Sequence, residues 1–184
     1  MIIIEGTSLQ NPCDWYDLRG LGHTVVSSKR PSPNTDFLSC RDINWRKPTY
    51  SDIPFMCYKW MRPTKSRTPS MNHVWQADHK KWDALFKTFK PTKHDDPSSG
   101  TCAAFCAIER WEPEELGIIG MDWVMDGNKR WFHDARAELE CLKSLVTIID
   151  LREWSLPKMP VTYNTTSLMW ELAEVRDKDG VHKP

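Results

Sequence analysis

Two short apolar runs limit what this chain can fold into more than any other feature. Leu116-Gly117-Ile118-Ile119-Gly120 and Val146-Thr147-Ile148-Ile149-Asp150-Leu151 each follow a segment of helical character. Thr101–Trp111 precedes the first run. Asp134–Leu145 precedes the second, with Ala137, Leu139, Leu142 and Leu145 at its apolar positions. A strand covered on both faces reads as a continuous apolar run rather than an alternating one. Helix, strand, helix, strand at these lengths predicts parallel α/β units.

The other segments fit that class in part. Ile2-Ile3-Ile4 predicts a buried strand that turns at Gly6-Thr7-Ser8. Asp14–Leu18 predicts a helical turn stopped by Gly20 and Gly22, and Thr24-Val25-Val26-Ser27 a β-branched strand. Residues 29–93 are rich in Pro, Lys, Arg and Trp. Short strand-like pieces are expected there at 37–40, 54–58 and 73–76. A helix is expected over 80–89, with Trp82, Leu85, Phe86 and Phe89 on one face. Such irregularity suits an inserted lid or acceptor-binding region. The organisation predicted is one α/β domain over 1–155, with 29–93 inserted. A tail follows over 156–184, in which 167–175 has the pattern of a docking helix.

The chain has 184 residues, the size of one domain, and 25 basic against 25 acidic side chains. That balance excludes a polyelectrolyte of the histone type, although it permits a local basic groove. No apolar run approaches the ~20 residues of a membrane span. Glu5-Gly6 cuts short the apolar start, so no signal peptide is predicted. A cytoplasmic setting with reduced thiols is expected for the six Cys, which form no CxxC pair. No metal site is expected. His73, Asp78-His79 and His94-Asp95-Asp96 read as solvated loop residues, and the Asp-x-Asp pattern at Asp177 lies in a polar tail. Ten Trp point to aromatic walls, a stacking pocket or an interface.

In an open α/β sheet, ligands bind beyond the carboxyl ends of the strands. Three segments are expected at that edge: Gly6-Thr7-Ser8, Ser98-Ser99-Gly100 and the stretch from Asp122 to His133. A helix starting at Thr101 offers unpaired N–H groups and the positive end of its dipole, which favours a phosphate. Alternatively, Ser98 or Ser99 only caps the helix. His133 precedes a second helix, and a neutral imidazole there is what a general base needs. It equally suits a packed or capping role. Glu138 lies five residues on, about 140° round a regular helix, so the two do not share a face and Glu138 is suited to bracing backbone. Asp122 either orients the His133 loop, touches a ribose or caps its turn.

Taken together, Asp96-Pro97-Ser98-Ser99-Gly100 and Glu115-Leu116-Gly117-Ile118-Ile119-Gly120-Met121-Asp122 resemble the small sialylmotif of sialyltransferases. His133-Asp-Ala-Arg-Ala-Glu138 is similar to their His-x-x-x-x-Glu element, and Ile2–Leu9 to the start of their large sialylmotif. The resemblance covers about Met1–Arg30 and Asp95–Arg152. It implies a Rossmann-like, mostly parallel sheet flanked by helices, and an inverting glycosyltransferase that uses a CMP-sugar and requires no metal or other cofactor. Ser98, Ser99, Gly100 and Thr101 would hold the donor, with Gly6, Thr7, Ser8 and Ser27 lining its pocket. His133 would be the base, assisted by Asp122 and Glu138. Thr7 and the stretch around Lys29 stand where the family carries Asn, and Lys29 is suited to pairing a diphosphate.

Cations and indoles interleave in the middle region. Trp60, Trp75 and Trp82 are expected to form a wall for an acceptor glycan or for nucleic acid, or to sit in a core beneath a solvated face. The acceptor expected is a glycan or a modified DNA base, and no membrane partner is expected. A nucleotide- or nucleic-acid-binding protein that keeps the scaffold without transfer is the alternative.

Overall fold

The computed structural model describes residues 1–6, 16–28, 31–42, 53–59, 74–90, 96–127, 129–130 and 133–156. Seven strands form one sheet: β1 (Ile2–Glu5), β2 (Thr24–Ser28), β3 (Phe37–Asp42), β4 (Phe55–Lys59), β5 (Val74–Gln76), β6 (Glu115–Ile119) and β9 (Thr147–Asp150). Their order is β5-β4-β3-β2-β1-β6-β9, and every pairing is parallel. Two further strands, β7 (Lys129–Arg130) and β8 (His133–Asp134), form a separate antiparallel pair. The helices are α1 (His79–Phe89), α2 (Ser99–Trp111), α3 (Asp122–Met125) and α4 (Ala135–Lys143), and a 3-10 turn covers Leu151–Glu153.

The apolar runs of β1, β2 and β6 are buried as their composition requires, whereas the run at 146–151, expected to be buried, forms β9 at the edge of the sheet, where Thr147 is exposed and Ile148, Ile149 and Asp150 are only half-buried. Ile3, Ile4, Val25, Val26, Leu116 and Ile118 are fully buried in the centre of the sheet. Alternate residues of β1 face opposite sides. Ile4 joins a large core with α1, α2 and α4, while Ile3 joins a smaller one with Leu18, Val25, Ile119 and Leu151. Asn34 holds the cover of the second face: it is buried, accepts from the Leu18 N–H at 3.0 Å and donates to the Tyr16 carbonyl at 2.8 Å. None of the helices among the described residues is long and apolar enough to cross a membrane.

The fold differs from the sequence reading in further places. The region 29–93 is not an irregular insertion where it is described. It supplies β3, β4 and β5 to the same sheet, and α1 to its main core. The described end of the expected helical turn at 14–18 is a bridge at Tyr16 and a bend at Leu18. The stretch after β6, read as a strand end and polar loop, contains α3 and the start of the β7–β8 ribbon. The expected docking helix at 167–175 lies outside the described residues, as does Asp177.

Candidate functional site

The chain builds outward from β1 to β5, then returns to the other side of β1 with β6. Two neighbouring strands whose connections leave in opposite directions open a crevice at their carboxyl ends. Glu5-Gly6 and Ile119-Gly120 stand at those ends. Gly6 donates its N–H to the Ile119 carbonyl at 2.8 Å. A Cβ on Gly6 would lie 2.1 Å from the Gly120 carbonyl oxygen, so only glycine allows this approach. The Met121 side chain lies against both Gly6 and Gly100, joining the strand ends to the start of α2.

Ser98 is the N-cap of α2. Its hydroxyl accepts from the Thr101 N–H at 3.3 Å, satisfying one of the orphan donors of the first turn. The next partner is forty residues away in sequence: the Ser98 N–H donates to Glu138 Oε1 at 3.1 Å, and the Thr101 hydroxyl donates to Glu138 Oε2. Glu138 is completely buried in the first turn of α4, and Ser98 and Thr101 are buried with it. The amino end of α2 therefore already holds a carboxyl group supplied by the chain itself. This corrects the expectation that Ser98 and Thr101 face a donor phosphate. Ser99 is partly exposed and Gly100 is buried, and among the described residues nothing accepts from the N–H group of either.

His133 reaches the same carboxyl from the other side. It lies in β8, paired with Arg130 of β7, and Asp134 then caps α4 by accepting from the Ala137 N–H at 3.2 Å. Because His133 sits in extended backbone before the helix, helical spacing does not separate it from Glu138. Its Nδ1 is 3.5 Å from Glu138 Oε1. The ring lies 5.7 Å from the Trp123 ring of α3, tilted by 42°, and the side chain keeps 14 % exposure.

Asp122 opens α3 beside this group, and its charge faces Arg152. The guanidinium gathers three carboxylates: Asp150 at 2.6 Å, Asp126 at 2.7 Å and Asp122 at 3.6 Å. Hydrogen bonds from Arg152 hold the Asp150 carboxyl below the usual carboxylate range, and Asp150 in turn raises Arg152.

Of the other expected site residues, Ser27 is fully buried and turned inward. Its hydroxyl donates to the Glu5 carboxylate, which also accepts from the Ser32 hydroxyl at 2.7 Å. Trp82 is core and not a wall. It is 3 % exposed, stacks on Phe105 at 4.9 Å and 8°, and donates its indole N–H to Glu109. Trp75 is partly buried, with its ring 6.0 Å from the Arg110 guanidinium. Thr7, Ser8, Lys29 and Trp60 lie outside the described residues. The sequence reading passed over Glu5, Trp123 and Arg152. An acid ending a buried strand and the Asp150-x-Arg152 spacing at a strand end were the available signals. Among the described residues no group of three or more His, Cys, Asp or Glu side chains is placed to hold a metal. No family model matches the chain, and neither a curated protein nor a solved structure does.

Proposed function

We propose that this chain is a glycosyltransferase on a Rossmann-like sheet, acting in the cytoplasm on a nucleotide-sugar donor, a CMP-sugar by its motifs. The observation that carries the reading is the shared carboxyl: Glu138 joins the amino end of α2 to His133, so a helix start and an imidazole meet around one buried side chain. The Ser99 and Gly100 N–H groups replace Ser98 and Thr101 as the donors for a phosphate. Nδ1 of His133 faces Glu138, which leaves Nε2 to take a proton.

The step balances as an inverting displacement. The acceptor hydroxyl gives its proton to His133 Nε2 as its oxygen bonds to the anomeric carbon. The bond from that carbon to the phosphate oxygen breaks, and its electron pair leaves with the nucleotide. The helix amides stabilise the charge that develops there. A glycan or a modified DNA base supplies the hydroxyl, and no metal is invoked.

The test is the His133→Gln variant assayed with CMP-, UDP- and GDP-sugars. Turnover should fall about 10²- to 10⁴-fold, the usual contribution of a general base, with donor binding retained. Unchanged turnover would remove His133 from the reaction. The alternative is a nucleotide- or nucleic-acid-binding protein on the same scaffold without transfer. That alternative predicts binding with neither transfer nor hydrolysis of any sugar nucleotide.

A further inference from the structure

The Arg152 cluster lies outside the groups that would touch substrate, yet it fixes the element on which His133 rests. α3 is only four residues long, too short to hold its own position by helical hydrogen bonding. Its first residue is Asp122 and its C-cap is Asp126, and both carboxylates meet the same Arg152 nitrogen, at 3.6 and 2.7 Å. The guanidinium is itself anchored to β9. Its second terminal nitrogen lies 2.6 Å from Asp150, and Nε lies 3.0 Å from each Asp150 oxygen. The Arg152 backbone N–H adds a fourth bond to Asp150 at 3.0 Å, closing the 3-10 turn. The guanidinium fork suits such multidentate anchoring, and a lysine ammonium reproduces its charge without its geometry. Between the two tethered ends of α3 stands Trp123, whose ring lies against His133.

We propose that Arg152 is a positioning residue for His133: by strapping both ends of α3 to the end of β9, it holds the Trp123 indole against the imidazole and so sets that ring's place beside Glu138. The inference rests on the reading of His133 as the working group, but the coupling itself is measurable without any substrate.

The experiment uses the full chain labelled at histidine, with the His133 ring signal assigned through His133→Gln. Trp123→Ala gives the displacement expected when the indole is removed. Arg152→Gln should move the His133 Cε1–H resonance in the same direction, leaving the His79 signal in place. Arg152→Lys should restore part of the change. A folded Arg152→Gln protein with the His133 resonance at its wild-type position overturns the proposal. Should Arg152→Gln fail to fold, Asp126→Asn removes a single partly exposed tether and must move the same signal in the same direction; an unmoved signal overturns it equally. If transfer is found, Arg152→Gln should lower turnover by about tenfold, within the cost of small misplacement, and leave the donor KM unchanged. Loss of nucleotide binding in the wild type would sink the proposed function and leave the resonance result standing, so the two failures are distinguishable.

Discussion

His133 Nδ1 and Glu138 Oε1 face each other at 3.5 Å, and the same carboxyl holds the Ser98 N–H at 3.1 Å and the Thr101 hydroxyl. One buried side chain thus serves two helices and an imidazole. Replacing it with Ala leaves the Ser98 N–H and the Thr101 hydroxyl buried without their acceptor, each costing about 1–3 kcal/mol. Urea unfolding of Glu138→Ala should show a loss of several kcal/mol. Glu138→Gln keeps an acceptor oxygen and should lose less. Equal losses in the two variants would show that the hydrogen bonds are not what makes the residue matter.

Two glycines at the crevice should respond differently to the same methyl group. At Gly6 the added carbon meets the Gly120 carbonyl oxygen, at 2.1 Å, and a backbone atom cannot rotate away. At Gly100 the nearest atoms are the end of the Met121 side chain, at 2.6 and 2.7 Å. A methionine can repack, and alanine gains up to about 1 kcal/mol of helix propensity over glycine. Gly6→Ala should therefore cost about 3 kcal/mol or prevent folding, at the upper end for overpacking, while Gly100→Ala should be close to neutral by thermal unfolding. The reverse order would contradict the packing described for Met121.

The Arg152 strap should show itself in the pH dependence of stability. The Asp150 carboxyl is held below its ordinary value when folded, so its contribution is fully present above the unfolded value of about 3.9. It is lost as pH falls through the folded value. The stability difference between wild type and Arg152→Gln should be about 2 kcal/mol near neutrality, the worth of a charged hydrogen-bonding group. The gap should narrow as pH drops from 5 to 2. Urea unfolding across that range checks it, and a gap independent of pH would mean that the ion pair is not the origin of the difference.

The thiols should be largely silent. Cys57, Cys102, Cys106 and Cys141 are buried. Burial, with the Glu138 carboxyl nearby, pushes the Cys141 thiol up to about 12, and burial also raises Cys106. Only thiolate reacts with disulfide reagents. Titration of the native chain with such a reagent at pH 8 should leave these four unmodified, and denaturant should release all six. Fast modification of three or more thiols in the native protein would contradict the burial pattern.

Local composition reveals the scaffold and hides the site. The buried strands β1, β2 and β6 and the half-exposed edge strand β9 are legible as runs of β-branched and aliphatic residues, and α2 as a helix after Ser98, because each depends on neighbours in sequence. Trp82 shows the ambiguity of composition. Its spacing with Phe86 and Phe89 marks a core face, while its flanking lysines suggest a wall, and stacking on Phe105 decides for the core. The joining of Glu138 to Ser98 spans forty residues and is a product of tertiary packing, so no local pattern announces it. The Arg152 cluster is hidden for the same reason, since Asp122 and Asp126 reach it from another strand's end.

The most direct test of the account is to follow the backbone amide signals of Ser99 and Gly100 while CMP, UDP and GDP are added in turn. The account predicts that one nucleotide binds saturably and shifts both amides together with the His133 ring. Saturable binding that leaves those amides unmoved, or no binding by any of the three, would contradict it.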